Sequence, residues 1–280
     1  MLQKTKKESR LMKTAVITGS TRGLGFELAR QFLQRDYNVV ICGTRDETII
    51  KALETLGKIN GAGRVLGKVC NVSVRDEVEK LADYAIEQFG QIDIWINNAG
   101  VNQSFAYYWD IPEDELEFLL NVDLKGTING TSAATSRLID QKHGAIYNVE
   151  GMGSNDAFQS CFSIYGTAKR AVTYFTDAAA KEIQDKNLPL IIGKLSPGIM
   201  ITDFLTSAKG RQNQTVLNEK TKKVYNILGD YPDTIAEYLV NEIEKNTKNG
   251  KRISWLTGRK AAIRFMTAGL NKRDFFSEKQ

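Results

Sequence analysis

Short apolar runs and stretches of helical periodicity take turns along the whole chain. Compact runs rich in β-branched and apolar residues predict strands at Thr14–Ile17, Asn38–Cys42, Arg64–Val69, Ile92–Asn97, Ala145–Val149, Leu190–Leu195 and Arg252–Trp255. Between them, apolar residues recurring every three to four positions predict helices at Gly23–Arg35, Glu47–Leu56, Val74–Phe89, Glu113–Leu138, Ser163–Lys186 and Thr234–Glu244. In the first helix Leu24, Leu28, Phe32 and Leu33 recur at the spacing of a helix packed on a sheet. Ser73 is the expected N-cap of the third helix, and Asp110 that of the fourth, with Pro112 in its first turn. Strands that alternate with helices predict an α/β fold, a Rossmann-type doubly wound parallel sheet of about seven strands with helices on both faces.

Two segments break the alternation. Asp203–Asp230 is polar, long and lysine-rich between Lys209 and Lys223, the profile of a lid beside a substrate site. The stretch from Lys251 mixes a strand with basic residues and with Phe265, Met266, Leu270, Phe275 and Phe276. That tail covers the pocket, joins subunits or lies on a membrane, and the pattern leaves all three open. The expected organisation is a flexible basic extension over residues 1–12 and one domain over 13–280. Its lid lies near 203–230 and its tail near 256–280.

Composition narrows the chemistry. With 42% hydrophobic and 25% charged residues, the 280-residue chain is ordinary for a globular protein. The net charge of +5 suits an anionic cofactor and contact with an anionic surface, but falls far short of a nucleic-acid binder. Cys42, Cys70 and Cys161 are scattered without metal-ligand spacing, and His143 is the one histidine, so neither a metal site nor histidine-based catalysis is expected. His143 reads as a surface turn residue. Reduced, buried cysteines suit a cytoplasmic protein. No apolar run reaches the roughly 18–20 residues of a membrane span, although peripheral membrane contact stays open.

Thr18-Gly19-Ser20-Thr21-Arg22-Gly23-Leu24-Gly25 follows the apolar run Ala15-Val16-Ile17 and opens the first helix. A strand delivers the chain to a tight turn, glycines admit a pyrophosphate close to the backbone, and the helix points its free N–H groups at the phosphates. Further along, Asn97-Asn98-Ala99-Gly100 ends the fourth strand, Tyr165-Gly166-Thr167-Ala168-Lys169 lies in a helix, and Ser196-Pro197-Gly198 with Thr202 closes the sixth strand. Tyr165 and Lys169, four apart, share a helix face. Lowering a phenol from its ordinary pKa of ~10 to about 7 takes roughly 4 kcal/mol, which the Lys169 ammonium and an oxidised nicotinamide supply together.

These landmarks resemble the short-chain dehydrogenase/reductase family over nearly the whole chain. The resemblance implies Tyr165 as general acid/base and Lys169 as the residue that binds the nicotinamide ribose. Two family positions are altered. Gly151 stands where the serine is expected, so Ser154 is assigned to orient the substrate carbonyl, with Ser160 and Ser163 as alternatives. Asp123, in Asp123-Leu124-Lys125-Gly126, takes the place of the family asparagine, with Asn121 a poorer substitute. The string Ile146-Tyr147-Asn148-Val149-Glu150-Gly151-Met152-Gly153-Ser154 looks like the corresponding segment of chlorophyll b reductases. Leu195-Ser196-Pro197-Gly198 and Leu256-Thr257-Gly258-Arg259-Lys260-Ala261 extend that likeness. It implies a carbonyl reductase with a roomy apolar pocket.

The resemblance also assigns cofactor contacts to Gly19, Ser20, Thr21, Arg22, Gly23, Leu24, Gly25, Asn71, Val72, Asn98, Ala99, Gly100, Tyr165, Lys169, Pro197, Gly198, Ile199 and Thr202. After the second strand the chain reads Cys42-Gly43-Thr44-Arg45, with no acidic residue to hold ribose hydroxyls. Arg45 and Arg22 instead suit a 2′-phosphate, so NADP(H) is expected over NAD(H). The expected activity is reduction of an aldehyde or ketone of a bulky apolar substrate. A nucleotide-binding scaffold or redox sensor without turnover, or a dehydrogenase run mainly in the oxidative direction, are the competing readings. A homodimer or homotetramer through the helices Glu113–Leu138 and Ser163–Lys186 is implied as well.

Overall fold

The apolar runs form strands, those in the middle of the sheet buried along nearly all their length, and a computed structural model describes residues 12–61, 63–202 and 219–276. β1 (Thr14–Ile17), β2 (Asn38–Gly43), β3 (Val65–Val69), β4 (Ile94–Asn97), β5 (Ala145–Val149), β6 (Ile191–Ser196) and β7 (Arg252–Ser254) pair in parallel. Their order across the sheet is β3-β2-β1-β4-β5-β6-β7. Near-continuous apolar strands are what a parallel sheet covered on both faces requires.

Alternate side chains feed two cores. Ala15, Ile17, Val39, Ile41 and Tyr147 point to α1 (Gly23–Leu33), α2 (Asp46–Leu56) and a helix over Pro232–Lys245. Val16, Val40, Trp95, Ile146 and Ile192 point to α3 (Arg75–Phe89) and to two helices over Gly126–Gln141 and Ser163–Asp185. Leu28 and Leu81 have no solvent exposure, so truncating either to Ala would cost about 2–5 kcal/mol. A buried polar chain fixes β4 and β5 against these helices. Trp95 Nε1 donates to Asn97 Oδ1, Asn97 Nδ2 donates to Asn148 Oδ1 and Thr131 Oγ1, and Asn148 Nδ2 donates to Thr176 Oγ1.

Several expected boundaries shift. β4 begins at Ile94 rather than Ile92, because the Ile92 N–H is taken by Gln141 Oε1 instead of a neighbouring strand. Ser73 does not cap α3: the N-cap is Val74, and the Ser73 hydroxyl donates to Asn71 Oδ1. Asp110 ends a short 3-10 turn (Tyr108–Asp110), and Pro112 itself occupies the N-cap of α4 (Glu113–Leu119). The expected long fourth helix is interrupted by one π turn, Leu120–Lys125, before α5 (Gly126–Gln141). α6 (Ser163–Asp185) and α8 (Pro232–Lys245) match their periodic stretches closely.

Helices also form where the alternation fails. α7 (Glu219–Leu228) lies in the expected lid and α9 (Gly258–Thr267) in the expected tail. The remainder of the lid, the last tail residues and nearly all of the expected N-terminal extension lie outside the described residues. The chain runs outward from β1 to β3 and returns to β4, so the strand order reverses between β1 and β4. That reversal opens a crevice at the strand ends where the glycine loop sits.

Candidate active site

The glycine loop takes its shape from two left-handed residues, Gly19 (φ 60°) and Gly23 (φ 59°). At Gly19 a Cβ would also lie 2.7 Å from the Ala99 Cα. Asn98 clamps the loop by donating from Nδ2 to the Thr18 and Gly19 carbonyls at 2.9 and 3.0 Å. Thr18 Oγ1 accepts from the backbone N–H groups of Asn98 and Ala99. Ser20 is fully buried: its Oγ donates to Ile17 O at 2.6 Å and accepts from Cys42 N at 3.0 Å. Ser20 therefore shapes the loop from behind, and its side chain is turned away from any phosphate. Arg22 is the N-cap of α1 and places no side chain on the helix end, which leaves the first N–H groups available.

Arg45 is the exposed N-cap of α2. Among the described residues neither Arg45 nor Arg22 forms an ion pair, so no acidic neighbour neutralises them. Asn71 accepts from Ser73 through Oδ1, while its N–H donates to Glu77. Val72 is buried, with its carbonyl accepting from Asn129 Nδ2 at 2.9 Å. These residues lie at the same strand ends and fit a nicotinamide dinucleotide: an uncapped helix start and a glycine turn for the pyrophosphate, with guanidiniums that form no ion pair among the described residues beside them.

Tyr165, Lys169 and Asp123 meet in a buried cluster. Lys169 Nζ stands 2.9 Å from Asp123 Oδ2 and 5.6 Å from the Tyr165 ring centre. The π turn brings Asp123 there, and its Oδ1 accepts from Val101 N–H at 2.7 Å. Burial raises the Asp123 carboxyl, against the opposing pull of Lys169. The Tyr165 phenol is also raised, by burial first; Lys169 lowers it and Asp123 raises it. The expected lowering relies on the ammonium acting together with an oxidised nicotinamide; among the protein's own groups, burial outweighs the ammonium.

Behind the phenol, Gly151 leaves no hydroxyl. A Cβ there would meet Tyr165 Oη at 2.3 Å. Ser154 is buried, and its Oγ accepts from Gly151 N at 3.2 Å while donating to Lys169 O at 3.1 Å. Its proton is thus committed to the backbone of α6 rather than directed at a carbonyl. Ser163 opens α6, and its carbonyl accepts from Thr167 Oγ1.

Three residues that motif reading passed over support the site. Gln103 is buried and bridges the start of α6, with Oε1 accepting from Tyr165 N at 2.7 Å and Nε2 donating to Cys161 O at 2.7 Å. Glu150, also buried, accepts from Thr173 Oγ1 and Arg252 Nη2, each at 2.8 Å, through a single oxygen. Only an acidic residue beside Gly151 hinted at this in the sequence. Asp230 ties the sixth-strand loop to the tail. Its N–H donates to Ile199 O and its carbonyl accepts from Ile201 N. Its carboxylate receives Trp255 Nε1, Arg264 Nη1 and Arg273 Nη1. Pro197 is buried, Gly198 is exposed with φ 74°, and Thr202 is half-buried on this loop.

An aromatic wall leads away from the phenol. Phe162 packs edge-on to Tyr165 with 6.3 Å between ring centres, and Phe105 to Phe162 at 5.9 Å. Two residues after Phe105 in the chain, Tyr107 stacks on Trp109 at 4.9 Å, and Tyr107, Tyr108 and Trp109 are all exposed. His143, by contrast, is an exposed turn residue, and no cluster of metal ligands exists among the described residues. No helix among them is long and apolar enough to cross a membrane.

Residues 13–213 match the family described as short chain dehydrogenase. The chain is similar to the probable chlorophyll(ide) b reductase NYC1, chloroplastic, of Arabidopsis thaliana, at 30% identity over 95% of this chain and 55% of the relative. It therefore spans about half the length of that protein. It is also similar to the chlorophyll(ide) b reductase NOL, chloroplastic, of Oryza sativa subsp. japonica, at 33% identity over 90% of this chain and 74% of the relative. Its fold is similar to that of an alcohol dehydrogenase from the archaeon Thermococcus sibiricus solved with 5-hydroxy-NADP. There the TM-score is 0.70 at 22% identity, over 96% of this chain and 99% of that one.

Proposed function

The chain belongs to the short-chain dehydrogenase family of oxidoreductases, on the branch similar to the chlorophyll(ide) b reductases, and from that premise we propose that it is an NADP(H)-dependent reductase converting an aldehyde or ketone of a bulky apolar substrate to the alcohol. The observation that carries this reading is the buried phenol beside the Lys169–Asp123 pair.

The nicotinamide, when bound, supplies the hydride that reaches the carbonyl carbon. Tyr165 Oη gives its proton to the carbonyl oxygen as negative charge develops there. A phenol raised by burial is protonated at neutral pH, which is the form a reduction needs. Lys169 stabilises the phenolate left behind, and Asp123 holds the ammonium in place. Ser154 serves as a positioning residue that joins the Gly151 turn to α6, in place of the carbonyl-orienting role expected of it. Arg45 and Arg22 hold the 2′-phosphate, Gly19 to Gly25 the pyrophosphate, Asn71 and Val72 the adenine side, and Asn98 to Gly100 shape the adenosine pocket. Pro197, Gly198, Ile199 and Thr202 border the nicotinamide.

The aromatic wall from Phe162 to Trp109 supports a large apolar substrate. Exposed Phe118, Ile128, Ile139 and Tyr174 on α4, α5 and α6 support a homodimer or homotetramer through those helices. The three free cysteines suit the cytoplasm, beside relatives described as chloroplastic. The missing hydroxyl at Gly151 favours a second reading, a cofactor-bound scaffold without turnover.

Purified protein titrated with NADPH and NADH, then offered carbonyl compounds graded by size, separates the readings. The enzyme oxidises NADPH with a bulky aldehyde or ketone, and Tyr165→Phe abolishes this while still binding NADPH. Tight NADPH binding with no turnover across the series would leave the scaffold.

A further inference from the structure

Helix α9 is built inside out. A helix on a protein surface ordinarily turns its apolar stripe to the core and its charges to water. Here Arg264 faces inward, donating to Asp230 Oδ2 at 2.6 Å and to Leu228 O at 2.8 Å, and Lys260 lies over the Trp255 ring. The outer face carries Ile263, Met266 and, one turn on, Leu270, which are 45%, 76% and 91% exposed. Spacings of three and four place them on one ridge, with the exposed Arg259 on the same side.

Charge singles out what covers this ridge. Between Lys251 and Arg273 the chain holds seven Lys and Arg residues and no Asp or Glu. Lys251, Arg252, Arg264 and Arg273 pair with Glu242, Glu150 and Asp230, which leaves Arg259, Lys260 and Lys272 without an ion pair among the described residues. A two-fold contact with a second copy would bring two such cationic stretches together. An anionic bilayer accepts both features at once, apolar side chains at the acyl boundary and cations among the headgroups.

We propose that α9 and the turn after it dock this protein on the surface of an anionic lipid bilayer. Ile263, Met266 and Leu270 enter the boundary of the acyl chains, and the exposed Arg259 and Lys272 contact acidic headgroups. Asp230 links α9 to the loop carrying Ile199 and Ile201, so docking sets that loop close to the membrane. Delivery of an apolar substrate from the bilayer follows only on the function proposed above; the docking does not depend on it.

The test is sedimentation of the full chain, without substrate or cofactor, with vesicles of phosphatidylcholine and phosphatidylserine in equal parts. The protein pellets with these vesicles and binds at least about tenfold more weakly to phosphatidylcholine alone. The combined substitution Ile263→Glu, Met266→Glu, Leu270→Glu lowers the partition by at least about tenfold, roughly 1.4 kcal/mol. Its circular dichroism is unchanged, because the three side chains are exposed. Arg259→Gln with Lys272→Gln weakens binding to the mixed vesicles and flattens its salt dependence. Failure to pellet at low ionic strength overturns the proposal, as does binding that survives the three glutamates. So does a wild-type dimer that the glutamates split while vesicles bind neither form, which would assign the ridge to a second copy.

Discussion

A Cβ added to Gly151 would stand 2.3 Å from the Tyr165 hydroxyl oxygen and 3.0 Å from Lys169 Cγ. The phenol occupies the space that a side chain at position 151 would claim. Gly151→Ala and Gly151→Ser therefore push the reacting oxygen aside instead of supplying a missing group. The expected result is a fall in kcat of roughly 10- to 100-fold, the scale for displacing a reacting group by about an ångström. NADPH affinity, read by fluorescence titration, stays near wild type. A gain in kcat from Gly151→Ser would show that the phenol has room to yield.

Asp123 contributes a negative charge that raises the Tyr165 phenol. Asp123→Asn removes that charge and keeps an acceptor for the Val101 N–H. The phenol then ionises at lower pH. Reduction needs the protonated phenol, so its alkaline limb moves to lower pH, while alcohol oxidation gains rate near neutrality. Rate profiles against pH in both directions check this, and an upward move of either limb contradicts it.

Arg45 carries no acidic partner among the described residues and caps the helix after β2. On the role proposed for it, Arg45 makes charge-assisted bonds to a 2′-phosphate, worth about 1.5–3 kcal/mol for a charged group, and Arg45→Gln removes them. NADPH affinity falls by roughly tenfold or more, while NADH affinity barely changes. Equal losses for both cofactors would mean that Arg45 supports the loop rather than reading the phosphate.

Glu150 is almost fully buried and pairs with Arg252, whose side chain is about a third exposed. Breaking a fully buried pair costs about 3–5 kcal/mol, and solvent screening of the arginine reduces this. Arg252→Met is expected to destabilise the chain by about 2 kcal/mol in denaturant titration. Adding Glu150→Gln should recover much of the loss, since it removes the stranded charge.

The stacked pair Tyr107–Trp109 ends the aromatic wall. Trp109→Ala should raise KM for the bulkiest carbonyl substrates while leaving kcat/KM for a small aldehyde close to wild type. Equal effects on both would remove the wall from the substrate path.

How much of this was legible beforehand depended on whether the signal was local. The strands and the helices between them follow from alternating apolar runs and helical periodicity, and the Gly19 turn and the Tyr165–Lys169 face follow from residue type and spacing. Ser73 misled because an Asn two residues earlier competed for its hydroxyl and left Val74 as the cap. The π turn that carries Asp123 has no periodic signature, because a single widened turn leaves the flanking helices in pattern. Ser154 looked like a replacement for a hydroxyl at 151, yet its proton goes to Lys169 O, a contact between segments that no motif encodes. Gln103 and Arg252 stand 62 and 102 positions from their partners Tyr165 and Glu150, too far for any window to pair them. The raised phenol is a matter of burial, and burial is a property of the assembled fold.

Asp230 receives a tryptophan and two arginines from beyond β7 through one carboxylate. The same flank is also held by the Ile227, Leu228 and Gly229 carbonyls, which accept from Arg273 and Arg264, and by Phe275 packed edge-on to Tyr231. All of these anchors fall on residues 226–231, and the backbone of Asp230 bonds Ile199 and Ile201, so the flank and the sixth-strand loop share one mechanical support.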